Sequence, residues 1–176
     1  MHAQPLFVYI HVVMQQTNDL RIKSLRPLVS PVAMKREFPM TDRANRTVIE
    51  SREAVSDIVH RRDDRLLAVV GPCSIHDPDA ALDYAERLFS LRERIKDKIY
   101  VVMRVYFEKP RTKLGWRGLI LDPYLDGSYD FEEGLRRARK LLREIAGMGL
   151  PAGSERLDPI VPQYIDDLIS WASSGA

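Results

Sequence analysis

A short segment, 103–112, carries side chains that could bind anions. Arg104 stands at the end of an apolar run, where a guanidinium group is costly unless it meets an anion. Tyr106 follows two residues later, so both side chains point to the same side if the run is a strand. The segment therefore predicts a positively charged site at the end of a strand.

The loop that follows adds Lys109, Arg111 and Thr112. Arginine forks, lysine charges and hydroxyl groups suit phosphate and carboxylate oxygens. The alternative is a loop held by internal ion pairs, which would use Glu108 and Asp122. The density of cations at a strand end favours anion binding.

A second candidate segment is GPCSIHD at 71–77. Cys73 beside His76 could be a nucleophile and its base, or part of a metal site. The alternatives are a small buried hydrophobic residue for Cys73 and a polar residue near a helix start for His76. Asp77 is interpreted as an N-cap.

Two further residues have open roles. Glu155 follows a short predicted strand and is either a partner for the nearby cations or an ordinary surface carboxylate. Trp116 is interpreted as a loop anchor rather than a surface for substrate.

The elements that would position these residues alternate between strand and helix. The run 66–70 is apolar throughout and ends at Gly71-Pro72, which is typical of a strand buried on both faces. Residues 14–45 contain three prolines that block a long helix and are predicted to be irregular. Strands are predicted at 66–70, 99–105 and 150–155, and helices at 44–59, from Asp77 onwards, from Asp130 to Gly149 and at 163–172.

About three β/α units of this kind indicate an α/β protein with a parallel sheet. An open doubly wound sheet and a (β/α)8 TIM barrel both fit the pattern. No phosphate-binding glycine fingerprint follows the first strand, which weakens the dinucleotide-binding option. A barrel typically needs about 250 residues, so the barrel interpretation requires an incomplete chain.

Composition limits the remaining classes of function. The chain has 45% apolar and 30% charged residues and a net charge of +2, which indicates a globular protein and argues against nucleic acid or anionic membranes as partners. One cysteine fits a reducing, cytoplasmic environment. No apolar run is long enough to span a membrane.

Three regions are predicted. Residues 1–13 are interpreted as a spurious or extra N-terminal extension before Met14, with an added strand as the alternative. Residues 14–64 form an N-terminal arm and helix. Residues 65–176 form the β/α units, which are the first units of a truncated barrel if the barrel interpretation holds.

Five motifs together resemble the microbial type of 3-deoxy-D-arabino-heptulosonate 7-phosphate (DAHP) synthase, also called phospho-2-dehydro-3-deoxyheptonate aldolase. The resemblance runs from about Asn18 to Gly175. The motifs are GPCSIHDP at 71–78, MRVYFEKPRT at 103–112, GW-x-GLI at 115–120, DP at 122–123 and PQY at 162–164.

The resemblance implies a cytoplasmic, oligomeric β/α-barrel enzyme of the shikimate pathway, which leads to aromatic amino acids. It would condense phosphoenolpyruvate with erythrose 4-phosphate, using a divalent metal (Mn, Fe, Co or Zn) as a Lewis acid. Cys73 would be a metal ligand, and Arg104 would hold phosphoenolpyruvate with Glu155 close by. Lys109, Arg111 and Thr112 would take erythrose 4-phosphate, with Tyr106 lining the site. Residues Asn18, Asp19, Leu20 and Ile22 resemble a regulatory arm that helps to form an aromatic amino-acid feedback site.

The family pattern continues beyond residue 176, where its other metal ligands lie. The resemblance therefore implies an N-terminal part of the enzyme that is inactive by itself, marginally stable and prone to aggregate. The alternative is a non-catalytic binding or regulatory module that associates with a full-length paralogue.

Overall fold

Four parallel strands form one sheet in the computed structural model, which describes residues 15–22, 25–111 and 114–174. The strands are β1 (Leu66–Val70), β2 (Ile99–Arg104), β3 (Ala152–Arg156) and β4 (Trp171–Ser174). Their order in the sheet, β1-β2-β3-β4, is the order of the chain. A doubly wound sheet reverses its strand order at a switch point. The sequential order is that of a β/α barrel, of which these strands form an open part.

Helices connect the strands and precede them. They are α1 (Pro31–Glu37), α2 (Asp42–Val59), α3 (Pro78–Ile95), α4 (Phe131–Met148) and α5 (Val161–Ile165), which a 3₁₀ turn at Asp166–Leu168 extends. None of the helices in the described ranges is long and apolar enough to cross a membrane.

Alternate residues of β2 pack on opposite faces of the sheet, as the strand period requires. Val101 and Met103 belong to the main core with the apolar faces of α3 and α4. Tyr100 and Val102 face the other way and pack with Val55 of α2. Arg104 therefore follows Val102 on the inner face of the sheet.

Helix α2 closes this inner face at the amino ends of the strands. Ser51 Oγ lies 2.6 Å from Ser170 Oγ, and Arg52 Nη2 donates to the carbonyl oxygen of Ile169 at 2.7 Å. Ser170 and Ile169 come directly before β4. The carboxyl ends of the strands are on the opposite side from this helix.

The predicted helix ends are confirmed. The Asp77 carboxylate accepts hydrogen bonds from the amides of Asp79 and Ala80, and that of Asp130 accepts one from Glu133. Gly149 ends α4. These caps fix where each helix begins after its strand-end loop, and so fix the length of the loops.

Three predictions about the elements are wrong. The arm at 14–45 contains α1, because Pro31 stands in the first turn, where it has no hydrogen bond to lose, and Ser30 caps the helix. The helix predicted at 163–172 is instead two short helical turns followed by β4, so the described residues contain a fourth strand.

The third concerns β1, which is not buried on both faces. Its terminal residues Leu66 and Val70 are 65% and 38% exposed. Strand β1 lies at the edge of the described sheet, so elements that would cover it in a closed barrel are not among the described residues.

Candidate anion-binding site at the strand ends

The carboxyl ends of β1 and β2 lie against each other. A Cβ atom on Gly71 would lie 2.5 Å from the carbonyl oxygen of Arg104, so glycine allows the close approach. Beyond the strands, the amide of Ile75 donates to the carbonyl oxygen of Tyr106 at 2.8 Å. The two candidate segments, 71–77 and 103–112, are therefore brought together.

Cys73 and Lys109 are in direct contact. The Lys109 Nζ atom lies 2.9 Å from the Cys73 Sγ atom, and the thiol is exposed. The pKa of Cys73 is lowered mainly by this hydrogen bond, then by the charge of Lys109 and more weakly by Arg104. Burial of the thiol opposes this shift. The described partner of the thiol is thus a lysine, and His76 is exposed nearby in the chain.

Arg104 stacks on the ring of Tyr106, with 4.0 Å between the guanidinium carbon and the ring centroid. Both side chains are half-buried. Within the described part of the chain, Arg104 forms no salt bridge, unlike the buried Arg139, which pairs with Asp167. No carboxylate of the described residues neutralises Arg104, whose charge instead acts on the Cys73 thiol, so this guanidinium is a candidate for binding an anion.

Among the described residues of the loop after β2, hydrogen bonds and not ion pairs make the contacts that hold it. The amide of Lys109 donates to Arg117 O at 2.9 Å, and Trp116 Nε1 donates to Asp122 O at 2.9 Å. Trp116 is thus the loop anchor that the sequence predicted. The buried carboxylate of Asp122 accepts from the amide of Gly127 and not from a loop cation.

Arg111 is exposed, and its Nε atom donates to Trp116 O at 3.3 Å. This bond holds the guanidinium near Lys109 along the loop and leaves its terminal nitrogens available. Thr112 lies outside the described residues.

Glu108 and Glu155 come together on the other side of the loop. Burial, followed by the charges of Asp158 and Glu155, raises the pKa of Glu108 to about 7. Glu155 is half-buried at the end of β3, beside Ser173 of β4. The candidate site thus has a cationic side, with Arg104 and Lys109, and a carboxylate side.

The proposed regulatory arm lies on the surface. Asn18 Nδ2 donates to Asp19 Oδ2 at 3.3 Å, and the amide of Ile22 donates to Asp19 O in a turn. Leu20 is 68% exposed. Within the described part of the chain, no hydrogen bond joins residues 15–22 to the strand-end cluster.

The side chains near Cys73 decide whether this region could bind a metal ion. Cys73 offers a thiol whose lowered pKa favours the thiolate, the form that binds metals. Within residues 15–22, 25–111 and 114–174, no group of three or more His, Cys, Asp or Glu side chains could hold a metal ion. These ranges therefore hold no complete metal site, and Cys73 is a residue there whose thiolate could serve as one ligand.

Two residues of the site were missed in the sequence. The predicted helix ended at Ala172 and left Ser173 without a role, and Asp158 lay in a connection to which no role was given. The apolar residues Leu168, Ile169 and Trp171 could have indicated a strand. For Asp158, the sequence offers no signal that it lies near Glu108, because the two are brought together by folding.

The sequence of this chain is similar to those of known proteins. Residues 37–176 match the model of the DAHP synthetase I family. The Phe-sensitive phospho-2-dehydro-3-deoxyheptonate aldolase of Escherichia coli strain K12 is 56% identical over 161 residues, which are 92% of this chain and 46% of that protein. The corresponding aldolase of Amycolatopsis methanolica is 54% identical over 159 residues, which are 90% of this chain and 78% of that protein.

A solved structure shows the same fold. The phospho-2-dehydro-3-deoxyheptonate aldolase of Francisella tularensis superposes with a TM-score of 0.86 at 46% identity, over 88% of this chain and 46% of that one. The chain spans about half the length of the Escherichia coli and Francisella tularensis proteins. The half-barrel fold and the match over most of the chain lead to one conclusion: the protein belongs to the DAHP synthetase I family.

Proposed function

We propose that this chain takes part in the condensation of phosphoenolpyruvate with erythrose 4-phosphate, and that its strand-end cluster binds the anionic groups of these substrates. The observation that carries the proposal is the clustering of two cations beyond β2: Arg104 stacks on Tyr106 with no salt bridge among the described residues, and Lys109 contacts Cys73 at the end of the neighbouring strand β1. The names of the matched relatives support the reaction, since each is named a phospho-2-dehydro-3-deoxyheptonate aldolase.

The cations at the end of β2 and those in the loop after it have different proposed substrates. Arg104, held flat against Tyr106, presents a planar fork to phosphoenolpyruvate. Lys109 and Arg111, with Thr112, bind the phosphate of erythrose 4-phosphate from the loop. Two anionic substrates repel each other, so bringing them together requires such cations.

The reaction forms a carbon–carbon bond from C3 of phosphoenolpyruvate to the aldehyde carbon of the sugar. Water adds at C2, and inorganic phosphate leaves. This chain's contribution is to hold both substrates at the required distance. When bound, a divalent metal would polarise the aldehyde oxygen, and Cys73 is the described residue that would contribute to holding it.

Binding of the two substrates to the 176-residue chain tests this proposal. Arg104→Ala is expected to abolish binding of phosphoenolpyruvate, and Lys109→Ala to weaken binding of erythrose 4-phosphate. Both are measured by NMR titration. Lys98→Ala is the matched control, because Lys98 is an exposed lysine at the amino end of the same strand. Equal binding by wild type and Arg104→Ala would refute the assignment.

We also propose that the 176-residue chain does not turn over by itself. The described residues hold one candidate metal ligand, whereas metal-assisted polarisation requires a complete site. Phosphate release from the two substrates with added Mn²⁺ should stay at the background rate. Robust turnover by the pure chain would contradict this.

A non-catalytic module is the second candidate function. It is favoured by the sheet edges: β1 and β4 each have one neighbour within the described residues, and β1 exposes Leu66 and Val70. Free edges can pair with strands of another chain. Co-purification with a full-length family member, lost in Val70→Lys, would support this function.

The arm at 18–22 is proposed to contribute to regulation. Relatives from Escherichia coli are named Phe-sensitive and Tyr-sensitive, and one from Buchnera aphidicola is named Trp-sensitive. An aromatic amino acid is therefore the proposed effector. Titration of the arm amides with each of the three by NMR would identify it.

A further inference from the structure

We infer that Ser173 is a positioning residue, which holds the ring of Tyr106 and through it the guanidinium of Arg104. This inference rests on the proposed function, since it concerns the orientation of the anion-binding arginine. Three observations support it: a contact, a stack and the distance between strands.

The contact joins two strands that are not neighbours. The Tyr106 hydroxyl oxygen lies 3.3 Å from Ser173 Oγ, at the long end of hydrogen-bond distances. Tyr106 follows β2 and Ser173 belongs to β4, and β3 lies between them. Strands two positions apart are separated by about 10 Å. A side chain as long as tyrosine is therefore needed to span the gap.

One step before this contact, the side chains of β2 and β4 already meet across β3. A Cβ atom on Gly153 would meet Val102 Cγ1 at 3.1 Å and Trp171 Cε3 at 3.3 Å, so these side chains close over β3 where it has no side chain. Nearer the carboxyl ends, the β3 residue in register with Ser173 is Glu155. The Tyr106 hydroxyl therefore reaches Ser173 past this carboxylate.

The stacking of Arg104 on the Tyr106 ring links the orientation of the guanidinium to the contact between Tyr106 and Ser173. The guanidinium carbon is 4.0 Å from the ring centroid, and no salt bridge in the described ranges fixes Arg104. The stack is therefore the contact among the described residues that restrains the plane of the guanidinium, while Cys73 lies close enough to feel its charge. A ring fixed at its hydroxyl end holds the planar fork in one direction, which reduces the entropy lost when an anion binds.

The contact between Tyr106 and Ser173, which we call the tether, is tested with phosphoenolpyruvate and inorganic phosphate as probes on the 176-residue chain. Ser173→Ala and Tyr106→Phe should each weaken binding about threefold, the effect of losing one neutral hydrogen bond. The double variant should lose no more than either single variant, because both changes break the same contact. Ser173→Thr keeps the hydroxyl and should restore binding. Ser174→Ala, on the next residue of the strand, is the matched control.

A spectroscopic measurement separates positioning from general stability. The Nε–Hε resonance of Arg104 lies in the shielding region of the tyrosine ring and should move in Ser173→Ala and Tyr106→Phe but not in Ser174→Ala. Thermal unfolding checks that each variant is folded. If Ser173→Ala does not fold, Tyr106→Phe and Ser173→Thr test the same contact.

Unchanged binding and an unchanged resonance in Ser173→Ala would overturn the inference. Effects that multiply to about ninefold in the double variant would also overturn it, since they would be independent. Arg104→Ala distinguishes this failure from that of the proposed function. If Arg104→Ala abolishes binding while Ser173→Ala has no effect, only the tether is refuted.

Discussion

Gly118 should be the least replaceable glycine of the loop between β2 and α4. Its φ of +107° is in the region that disfavours side chains, and a Cβ atom there would lie 2.1 Å from Phe107 O and 2.6 Å from Glu108 Cα. Because both are backbone atoms, they cannot rotate away. We expect Gly118→Ala to cost about 1–2 kcal/mol for the conformation and about 1–3 kcal/mol for the overpacking, or about 2–5 kcal/mol in total.

Gly127 provides a matched control. Its φ is +75°, and nothing lies within 4 Å of a Cβ atom placed there. Gly127→Ala should therefore carry only the conformational cost, about 1–2 kcal/mol. The free energy of unfolding of each variant is measured by urea denaturation. The difference between the two losses of stability gives the free-energy cost of the clash at Gly118.

The same substitution should also affect binding. The clash displaces 107–108, which are next to Lys109, so Gly118→Ala should weaken erythrose 4-phosphate binding and Gly127→Ala should not. The reasoning is refuted if the two variants unfold within about 0.5 kcal/mol of each other, which is the scatter of substitutions that break no such feature.

Two further predictions concern ionisation. Glu108 has a folded pKa of about 7 against an ordinary value of 4.5, so its protonated form stabilises the fold below about pH 4.5, and this contribution is lost as the pH rises through 7. The free energy of unfolding of wild type relative to Glu108→Gln should fall over this range, by roughly 3 kcal/mol at most, and a constant difference in urea melts between pH 4.5 and 8 would contradict the assignment. Lys109→Met should raise the pKa of Cys73 and slow its alkylation by iodoacetamide at pH 7 several-fold, with Lys98→Met as the control. Since the chain has one cysteine, mass spectrometry reports this site alone, and equal rates in the two variants would show that Lys109 does not activate the thiol.

The helices were largely predictable because their signals are local. Asp77 and Asp130 each precede a helix by one residue, and Gly149 follows one, and all three were assigned from their immediate neighbours. Local sequence patterns failed to predict the structure where one short segment is compatible with both a helix and a strand. The segment at 163–172 has apolar spacing compatible with a helix, but its end pairs with β3 and becomes a strand.

The parts of the site were visible in the sequence, but their arrangement was not. Arg104, Lys109 and Cys73 were singled out because cations and a thiol followed apolar runs. The sequence did not predict that Lys109 rather than His76 contacts Cys73, since these residues approach only when β1 and β2 pair. Nor did it predict that Glu108 would have a raised pKa, because its burial depends on the whole loop.

The sequence by itself determined the family, the alternation of strands and helices, and the concentration of cations after β2. These follow from residue types and from spacings within one element, which are fixed by covalent connection. Only the tertiary structure decided which face of the sheet α2 covers, which residue partners the thiol, and that Tyr106 reaches across β3 to Ser173. Such contacts depend on strand order and register, and these are set by the packing of segments far apart in the chain.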